Sequence, residues 1–495
     1  MKNQYNFNSQ LETENFAQLL SLWARPGLVI AMSGDLGAGK STFARAFIRA
    51  LSKPEEIIDI PSPSFSLIQI YDQTRIAVAH VDLYRLSTKA ETEELGLLEL
   101  LATSILLIEW PERLASPLTD NTLSLHFSGG GKSRHVELTA NGTWVDVLKR
   151  NADIEDFLAQ TEWSNSTRLF LEGDASSRRY ETLKQNNRQS ILMDMPQRPD
   201  GPPVKGGKPY SAIAHLAEGL ASVCAVNMQL ISFGYSAPQV ETTDLRAGLA
   251  VVEDFGDLVY GRMIRDGLDM REPMRATIAL LADMSTRNWP SAINSYDLDA
   301  QLIETDLLVT WFWPYVQGTA ADLELRQSFE NLWRKILPLA VSSRPYWVMR
   351  DFHSPNLIWL PEREGIKRVG LIDTQDAVLG HPAYDLASLL QDARIDIGFD
   401  WADELYHLYE ELRHQQQDFD SHKFATAYAI LGAQRATKIL GIFARLAMRD
   451  RKPSYLKHMP RVSRYLARNL AHPVLNELRQ WFEKNMPEAL SVGRK

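Results

Sequence analysis

Residues Gly34-Asp35-Leu36-Gly37-Ala38-Gly39-Lys40-Ser41 form the pattern G-x-x-x-x-G-K-[ST], and few stretches of eight residues constrain a fold so tightly. The pattern works where a strand delivers the chain into a turn of converging backbone amides and a helix leaves it, because amides and the positive helix end together hold phosphate. Both flanks are present. Leu28-Val29-Ile30-Ala31-Met32 is an apolar run of strand type, and Thr42 to Leu51 has helical spacing. An α/β domain of the phosphate-loop class is therefore expected here, with Lys40 supplying positive charge and the Ser41 hydroxyl able to ligate Mg²⁺.

Further strands are expected at Ser66–Tyr71, Ile76–Asp82, Ile105–Glu109, Thr122–Phe127 and His135–Thr139, the last two joined by a hairpin loop at Gly129-Gly130-Gly131-Lys132. A phosphate-loop ATPase needs an acidic residue at a strand end to hold the metal or its water, and Asp82 and Glu109 both occupy such ends. Four blocks then carry a resemblance: Gly34–Ser41, Ser62-Pro63-Ser64-Phe65-Ser66-Leu67, His80-Val81-Asp82-Leu83-Tyr84-Arg85-Leu86 and Glu109-Trp110-Pro111-Glu112-Arg113. In order and over residues 1–150 they resemble the TsaE family, the small ATPase of the bacterial machinery that makes N6-threonylcarbamoyladenosine in tRNA. Ser64 stands where that family usually has threonine, which keeps the hydroxyl. The resemblance implies ATP bound through Gly34, Gly37, Gly39, Lys40, Ser41 and Thr42, Mg²⁺ held by Ser41 and Asp82, and Glu109 at the reacting water. It also implies turnover coupled to a TsaB/TsaD-type partner complex that itself holds the tRNA.

A second phosphate-handling pattern lies some three hundred residues on. Phosphoryl transfer to a hydroxyl needs a carboxylate at the acceptor and metal ligands at the phosphates. Asp351, in Asp351-Phe352-His353-Ser354-Pro355-Asn356, has the position of the base, while Asn356 and Asp373 at the end of Val369-Gly370-Leu371-Ile372 have those of the Mg²⁺ ligands. The runs Leu357–Leu360 and Val369–Ile372 are expected to place them on a hairpin, with the acidic segment Glu253-Asp254-Phe255-Gly256 in support.

The blocks Arg350–Leu357, Leu371–Ala377, Gly380–Leu386, Gly173–Tyr180 and Leu440–Leu446 resemble the aminoglycoside-phosphotransferase superfamily, in the AmgK branch of anomeric kinases. The resemblance covers about residues 155–485 and implies a bilobal α+β, protein-kinase-like domain. It further implies ATP, an N-acetylmuramate or N-acetylglucosamine acceptor in cell-wall recycling, and Gly173–Tyr180 over the ATP phosphates with Arg178 or Arg179 beside them. Three departures stand out: Thr374 for the usual Phe, Met349 where many members carry His or Gly, and Ile191-Leu192-Met193-Asp194 without the lysine of protein kinases. A nucleotide-binding scaffold, or a kinase of another small alcohol such as an aminoglycoside, is the alternative. His381 reads first as a turn residue between Gly380 and Pro382 and second as a site residue; Trp311-Phe312-Trp313 reads first as core and second as a sugar platform.

At 495 residues the length suits about two to four domains. A boundary is expected in the polar stretch near Lys149–Asp153, giving segments 1–150 and 153–495. From there, strands are expected within Phe170–Leu183 and at Gln189–Met195, a mobile loop at Pro199–Pro209, one helix at Tyr210–Phe233, a strand at Leu249–Phe255, and helices over Leu258–Asn331 and Tyr384–Phe482. A net charge of −9 argues against a broad nucleic-acid surface, so any tie to RNA is expected to run through partners. The single cysteine, Cys224, excludes an intrachain disulfide and reads as a small buried hydrophobe. Neither a signal peptide nor an apolar stretch of about 18 residues is evident, and a cytoplasmic protein without a membrane segment is expected.

Overall fold

The computed structural model describes all residues except 54–57, 131–132, 173–177, 198–199, 218, 343, 345, 417–418 and 492–495. Two compact units emerge, Met1–Leu192 and Met193–Lys495.

The first unit opens with strand β1 (Lys2–Phe7) and helix α1 (Gln10–Ser21), both drawn from a polar start in which sequence periodicity showed neither. Then come β2 (Val29–Gly34), α2 (Lys40–Leu51), β3 (Ile68–Tyr71), β4 (Val78–Asp82), α3 (Lys89–Glu93), α4 (Leu97–Thr103), β5 (Ile105–Glu109), β6 (Thr122–Ser128) and β7 (Arg134–Ala140). The sheet order is β1-β7-β6-β2-β5-β4-β3. At its centre β2, β4, β5 and β6 run parallel, while β6 and β7 form the antiparallel hairpin expected around Gly129, whose Gly131 and Lys132 lie outside the described residues. Side chains alternate across the parallel strands. Ile30, Met32, Ile105 and Leu107 face Phe16, Phe43 and Phe47 of α1 and α2, while Val29, Ala31, Leu106 and Ile108 face Leu97 and Leu101 of α4. Strands buried on both faces read as continuous apolar runs, which is why β2, β4 and β5 were visible in sequence.

Helix α5 (Thr143–Ala159) runs straight through Lys149–Asp153, the polar stretch expected to separate two domains. The polar residues there belong to the outer face of an amphipathic helix whose inner face buries Trp144, Val147, Leu148, Ile154, Phe157 and Leu158. The chain continues into β8 (Thr167–Leu171), β9 (Arg179–Gln185) and β10 (Arg188–Asp194). Arg168 on β8 ties these parts together: its guanidinium donates to Asn151 Oδ1 of α5 at 2.8 Å and to both oxygens of Glu181 on β9 at 2.7 and 3.1 Å. Arg75 donates to the Ser21 carbonyl at 2.8 Å and lies 3.7 Å above the Phe170 ring. Burial, reinforced by Arg179, pushes Arg75 down to about 10.

The Pro199–Pro209 stretch, expected as a loop, contains the short hairpin β11 (Pro203–Lys205) and β12 (Lys208–Pro209), turned by Gly206 and Gly207 at positive φ. The single helix expected at Tyr210–Phe233 is two, α6 (Tyr210–Ile213) and α7 (Leu220–Ser232), interrupted where His215 takes φ +53°. Strands β13 (Val240–Asp244) and β14 (Leu249–Glu253) complete a sheet of order β13-β14-β10-β9-β8.

Helices α8 (Tyr260–Arg265), α9 (Arg271–Met284), α10 (Leu298–Leu307), α11 (Trp313–Gln317) and α12 (Leu323–Ile336) come next, with a π-helical turn at Leu308–Phe312. Short strands β15 (Trp347–Val348), β16 (Leu357–Trp359), β17 (Val369–Leu371) and β18 (Val378–Leu379) precede α13 (Ala383–Leu390), α14 (Phe399–His414), α15 (Ser421–Met448), α16 (Met459–Leu470), α17 (Asn476–Asn485) and α18 (Glu488–Ser491). The 28-residue α15 is the buried spine of this unit. It crosses α10 closely enough that a Cβ on Gly441 would meet the Leu307 backbone at 2.4 Å, so only glycine fits. Among the described residues no helix is long and apolar enough to cross a membrane.

Candidate active sites

The carboxyl ends of β2, β5 and β4 stand side by side, with Met32 opposite Glu109 and Glu109 opposite Asp82. The turn Gly34–Gly39 leaves β2 there, and Lys40 and Ser41 open α2. Gly34 has φ +126°, and a Cβ on it would meet the Phe127 carbonyl oxygen at 2.1 Å, so the turn can pass this strand only as glycine. Lys40 Nζ donates to the carbonyls of Gly34 at 2.6 Å and Asp35 at 2.9 Å and lies 4.1 Å above the Trp110 ring. Burial lowers its pKa, opposed chiefly by Glu109. Thr42 follows in the first turn of α2.

The two carboxylates are held differently. Glu109 accepts from Ser41 Oγ at 3.0 Å, and its other oxygen meets His80 Nε2 at 2.9 Å. Asp82 accepts from Ser64 Oγ at 2.9 Å and from the Tyr84 amide at 3.0 Å. Lys40, Ser41, Asp82 and Glu109 are thus gathered at one sheet edge. Its oxygen-only donors suit Mg²⁺, which takes one or two carboxylates and completes its shell with water and phosphate. No group of three or more His, Cys, Asp or Glu that could hold a metal ion occurs among the described residues. Sequence reasoning assigned no role to His80 or Trp110, although both lie inside motifs it quoted.

In the second unit β16 and β17 pair as the expected hairpin, Leu357 opposite Leu371. Asp351, Asn356 and Asp373 all line one small cavity with Met349, Phe352, Leu371 and Thr374. Asn356 Nδ2 donates to the Asp351 carbonyl at 3.0 Å, and Asp373 has φ +58° with Gln375 Nε2 on its carboxylate at 3.1 Å. Burial raises the Asp351 pKa, but His353, Lys438, Arg350 and Arg435 together outweigh it and leave the carboxyl below its ordinary value. A carboxylate so placed is charged at neutral pH and can accept a proton. Asn356 and Asp373 are again hard oxygen donors suited to Mg²⁺.

Behind the catalytic loop is a charged network that sequence patterns did not reveal. Fully buried Glu304 of α10 pairs with Arg350 and, at 2.9 Å, with Lys438 of α15; Tyr296 and Gln434 also donate to it. Burial opposes its ionisation, but Lys438 and Arg350 carry the Glu304 pKa down to about 2. Asp385 of α13 accepts the amides of Met349 at 2.8 Å and Arg350 at 3.2 Å; burial raises it to about 7. The lone signal for Glu304 is an acidic residue on the inner face of an apolar helix.

Other expected residues lie elsewhere. Gly173–Ser177 are outside the described residues. Arg179, expected beside the ATP phosphates, instead donates to Glu181 at 2.6 Å and stacks 3.2 Å above Trp23, while Arg178 precedes it half-buried. Glu253 is paired with Arg363 at 2.5 Å, and Asp254 accepts its own turn's Gly256 amide. His381 has the turn role: its Nδ1 accepts the Ala383 amide at 3.1 Å and burial lowers it to about 4. It also lines a cavity of about 490 Å³ with Tyr296, Gln301 and Tyr384, yet none of Asp351, Asn356 or Asp373 reaches that cavity. Phe312 is fully buried with Trp311 and Trp313 against the same core, and Cys224 is half-buried with its thiol pKa raised by burial.

Together these sites define a class: a phosphate-loop nucleotide hydrolase joined in one chain to a protein-kinase-like phosphotransferase. The model of the threonylcarbamoyl adenosine biosynthesis protein TsaE matches residues 7–136, and that of the phosphotransferase enzyme family matches residues 167–424. The N-acetylmuramate/N-acetylglucosamine kinase of Caulobacter vibrioides is 37% identical over 361 residues, covering 68% of this chain and 97% of that protein. The kinase of the same name from Pseudomonas aeruginosa is 27% identical over 315 residues, covering 62% and 84%. The tRNA threonylcarbamoyladenosine biosynthesis protein TsaE of Rickettsia typhi is 40% identical over 155 residues, covering 31% of this chain and 99% of that protein. The chain belongs to the TsaE family in its N-terminal part and to the phosphotransferase enzyme family, alongside the N-acetylmuramate/N-acetylglucosamine kinases, in the remainder.

Proposed function

We propose that this protein is bifunctional, with both activities using ATP and Mg²⁺. Segment 1–150 hydrolyses ATP for tRNA N6-threonylcarbamoyladenosine formation with a TsaB/TsaD-type complex that contacts the tRNA. Segment 153–495 phosphorylates the anomeric hydroxyl of N-acetylmuramate or N-acetylglucosamine. A cytoplasmic location, where ATP and tRNA are both at hand, completes the proposal.

In the first segment the glycine turn presents amides to the phosphates, Lys40 offsets their charge, and Glu109, braced by His80, orients the attacking water. In the second, Asp351 accepts a hydrogen bond from the sugar hydroxyl, aligns it with the γ-phosphorus and takes its proton as the new O–P bond forms and the bond from the γ-phosphorus to the bridging oxygen breaks, releasing ADP. Ser41 with Asp82, and Asn356 with Asp373, would hold Mg²⁺, which neutralises phosphate charge when bound. Arg178 remains the candidate for the phosphates in the second site.

The single observation that carries the kinase reading is the convergence of Asp351, Asn356 and Asp373 on one cavity. Transfer of phosphate from ATP to N-acetylmuramate, N-acetylglucosamine and an aminoglycoside, run in parallel, tests it. Phosphorylation of either amino sugar at the anomeric position is expected, and transfer to the aminoglycoside alone would replace the acceptor.

A further inference from the structure

Helix α15 presents two cations on one face. Lys438 is already committed to Glu304. Arg445 lies seven residues further on, close to two full turns, so it shares that face about 10 Å along the axis. It is half-buried, and among the described residues its Nε has no hydrogen-bond partner and no carboxylate forms an ion pair with it; neighbouring Asp450 is engaged by Arg449 at 2.8 and 3.0 Å.

A chain of contacts links Arg445 to the catalytic loop. Its guanidinium lies 5.6 Å from the Tyr210 ring. Tyr210 opens α6, and the Ala214 carbonyl just past that helix accepts from Arg350 Nη1 at 2.7 Å. Arg350 immediately precedes Asp351 and shares Glu304 with Lys438. Arg350, the Ala214 carbonyl and Tyr210 thus link the residue before Asp351 to Arg445, and the charges of Lys438, Arg445 and Arg350 all act on the Tyr210 hydroxyl. Burial lowers the Arg445 pKa, only partly opposed by Tyr210 and Asp450.

A buried guanidinium nitrogen without an acceptor is costly, and the planar fork is shaped for a carboxylate. The two amino sugars of the proposed reaction differ in this respect. N-acetylmuramate carries a carboxylate on its lactyl ether, and N-acetylglucosamine carries none. We propose that Arg445, backed by Tyr210, receives the carboxylate of the acceptor and is the residue by which the kinase favours an acidic amino sugar over a neutral one. This rests on the amino-sugar kinase reading given above.

The test uses the full chain, both sugars and ATP. In Arg445→Gln, kcat/KM for N-acetylmuramate is expected to fall about 10- to 100-fold, mostly through KM, as loss of a charge-assisted bond requires. N-acetylglucosamine should stay within about threefold and report that the variant is folded. Arg445→Lys, which keeps charge but loses the fork, should fall between. As a second measurement, wild type given N-acetylmuramate with its carboxylate converted to an amide should lose its preference. Equal losses for both sugars, no loss for either, or a rise confined to the KM for ATP would each overturn the assignment, the last by giving Arg445 to the nucleotide. Wild type that phosphorylates neither sugar would instead remove the kinase reading and this inference with it.

Discussion

Replacing Glu304 by glutamine should uncouple the catalytic loop from its support. In the wild type this buried carboxylate is shared by Arg350 and Lys438 and held at a pKa of about 2, against an ordinary 4.5. The difference corresponds to about 3 kcal/mol of stability at neutral pH. Because the folded value lies below the unfolded one, that contribution is complete above a pH of about 4.5 and is lost as pH falls toward about 2. Glutamine preserves the shape but leaves two buried cations without their counter-charge, a change that typically costs about 3 to 5 kcal/mol. At about 2–4 °C per kcal/mol for a unit of this size, unfolding of the kinase part should drop by roughly 10 °C at pH 7. Sugar phosphorylation should slow at least about tenfold, since Arg350 no longer fixes Asp351. Calorimetry with parallel phosphoryl-transfer assays reads both, and repeating the scans at falling pH should show the two proteins converging below about pH 4.5. A variant that unfolds at the wild-type temperature and turns over normally, or a gap that does not narrow in acid, would refute the account.

Lys40→Ala should abolish partner-stimulated ATP hydrolysis while sugar phosphorylation stays near wild type; loss of both would show that the sites are coupled. Asp351→Asn should lower the kinase kcat by orders of magnitude with ATP still bound, whereas Asp373→Asn should also weaken nucleotide binding when titrated with Mg²⁺. Unchanged turnover in either would end the kinase assignment. Cutting the chain between Lys149 and Asp153 divides α5, parting Trp144, Val147 and Leu148 from Ile154, Phe157 and Leu158. Fragments made there should be less stable and less active than fragments parted between Gln160 and Ser166, and equal behaviour of the two pairs would show that α5 is dispensable.

How much was legible follows from how local each signal is. The strand–turn–helix around Lys40 and the hairpin joining Asn356 to Asp373 are written in consecutive residues, so sequence located both elements, and folding brings Asp351, Asn356 and Asp373 to one cavity. Glu304, Lys438 and Asp385 meet the catalytic loop only through folding, from positions dozens of residues away, and although Asp385 lies inside a quoted motif nothing local shows which groups these three meet. The polar residues of α5 misled for the opposite reason. Local composition there is that of a linker, and it hides the helical spacing of Trp144, Val147, Leu148, Ile154, Phe157 and Leu158, which the structure buries on one face. Arg179 shows the same limit: the resemblance implied a place beside the phosphates for it or Arg178, while its side chain stacks on Trp23, some 150 residues earlier.

The contacts of Arg75 with Phe170 and Trp23 with Arg179 also bear on the order in which the chain can assemble during synthesis. β8, β9 and β10 are made before β14, which completes their sheet; 249 − 194 places it 55 residues after the end of β10. At about 5–20 residues per second the ribosome leaves this unfinished edge waiting for roughly 3 to 11 s. By then Trp23 and Arg75 have already emerged, on a part of the chain with its own core. They offer β8 and β9 a prepared surface, so the part of the chain made first serves as an internal folding template for the strands that follow, while the edge of β10 still waits for β14.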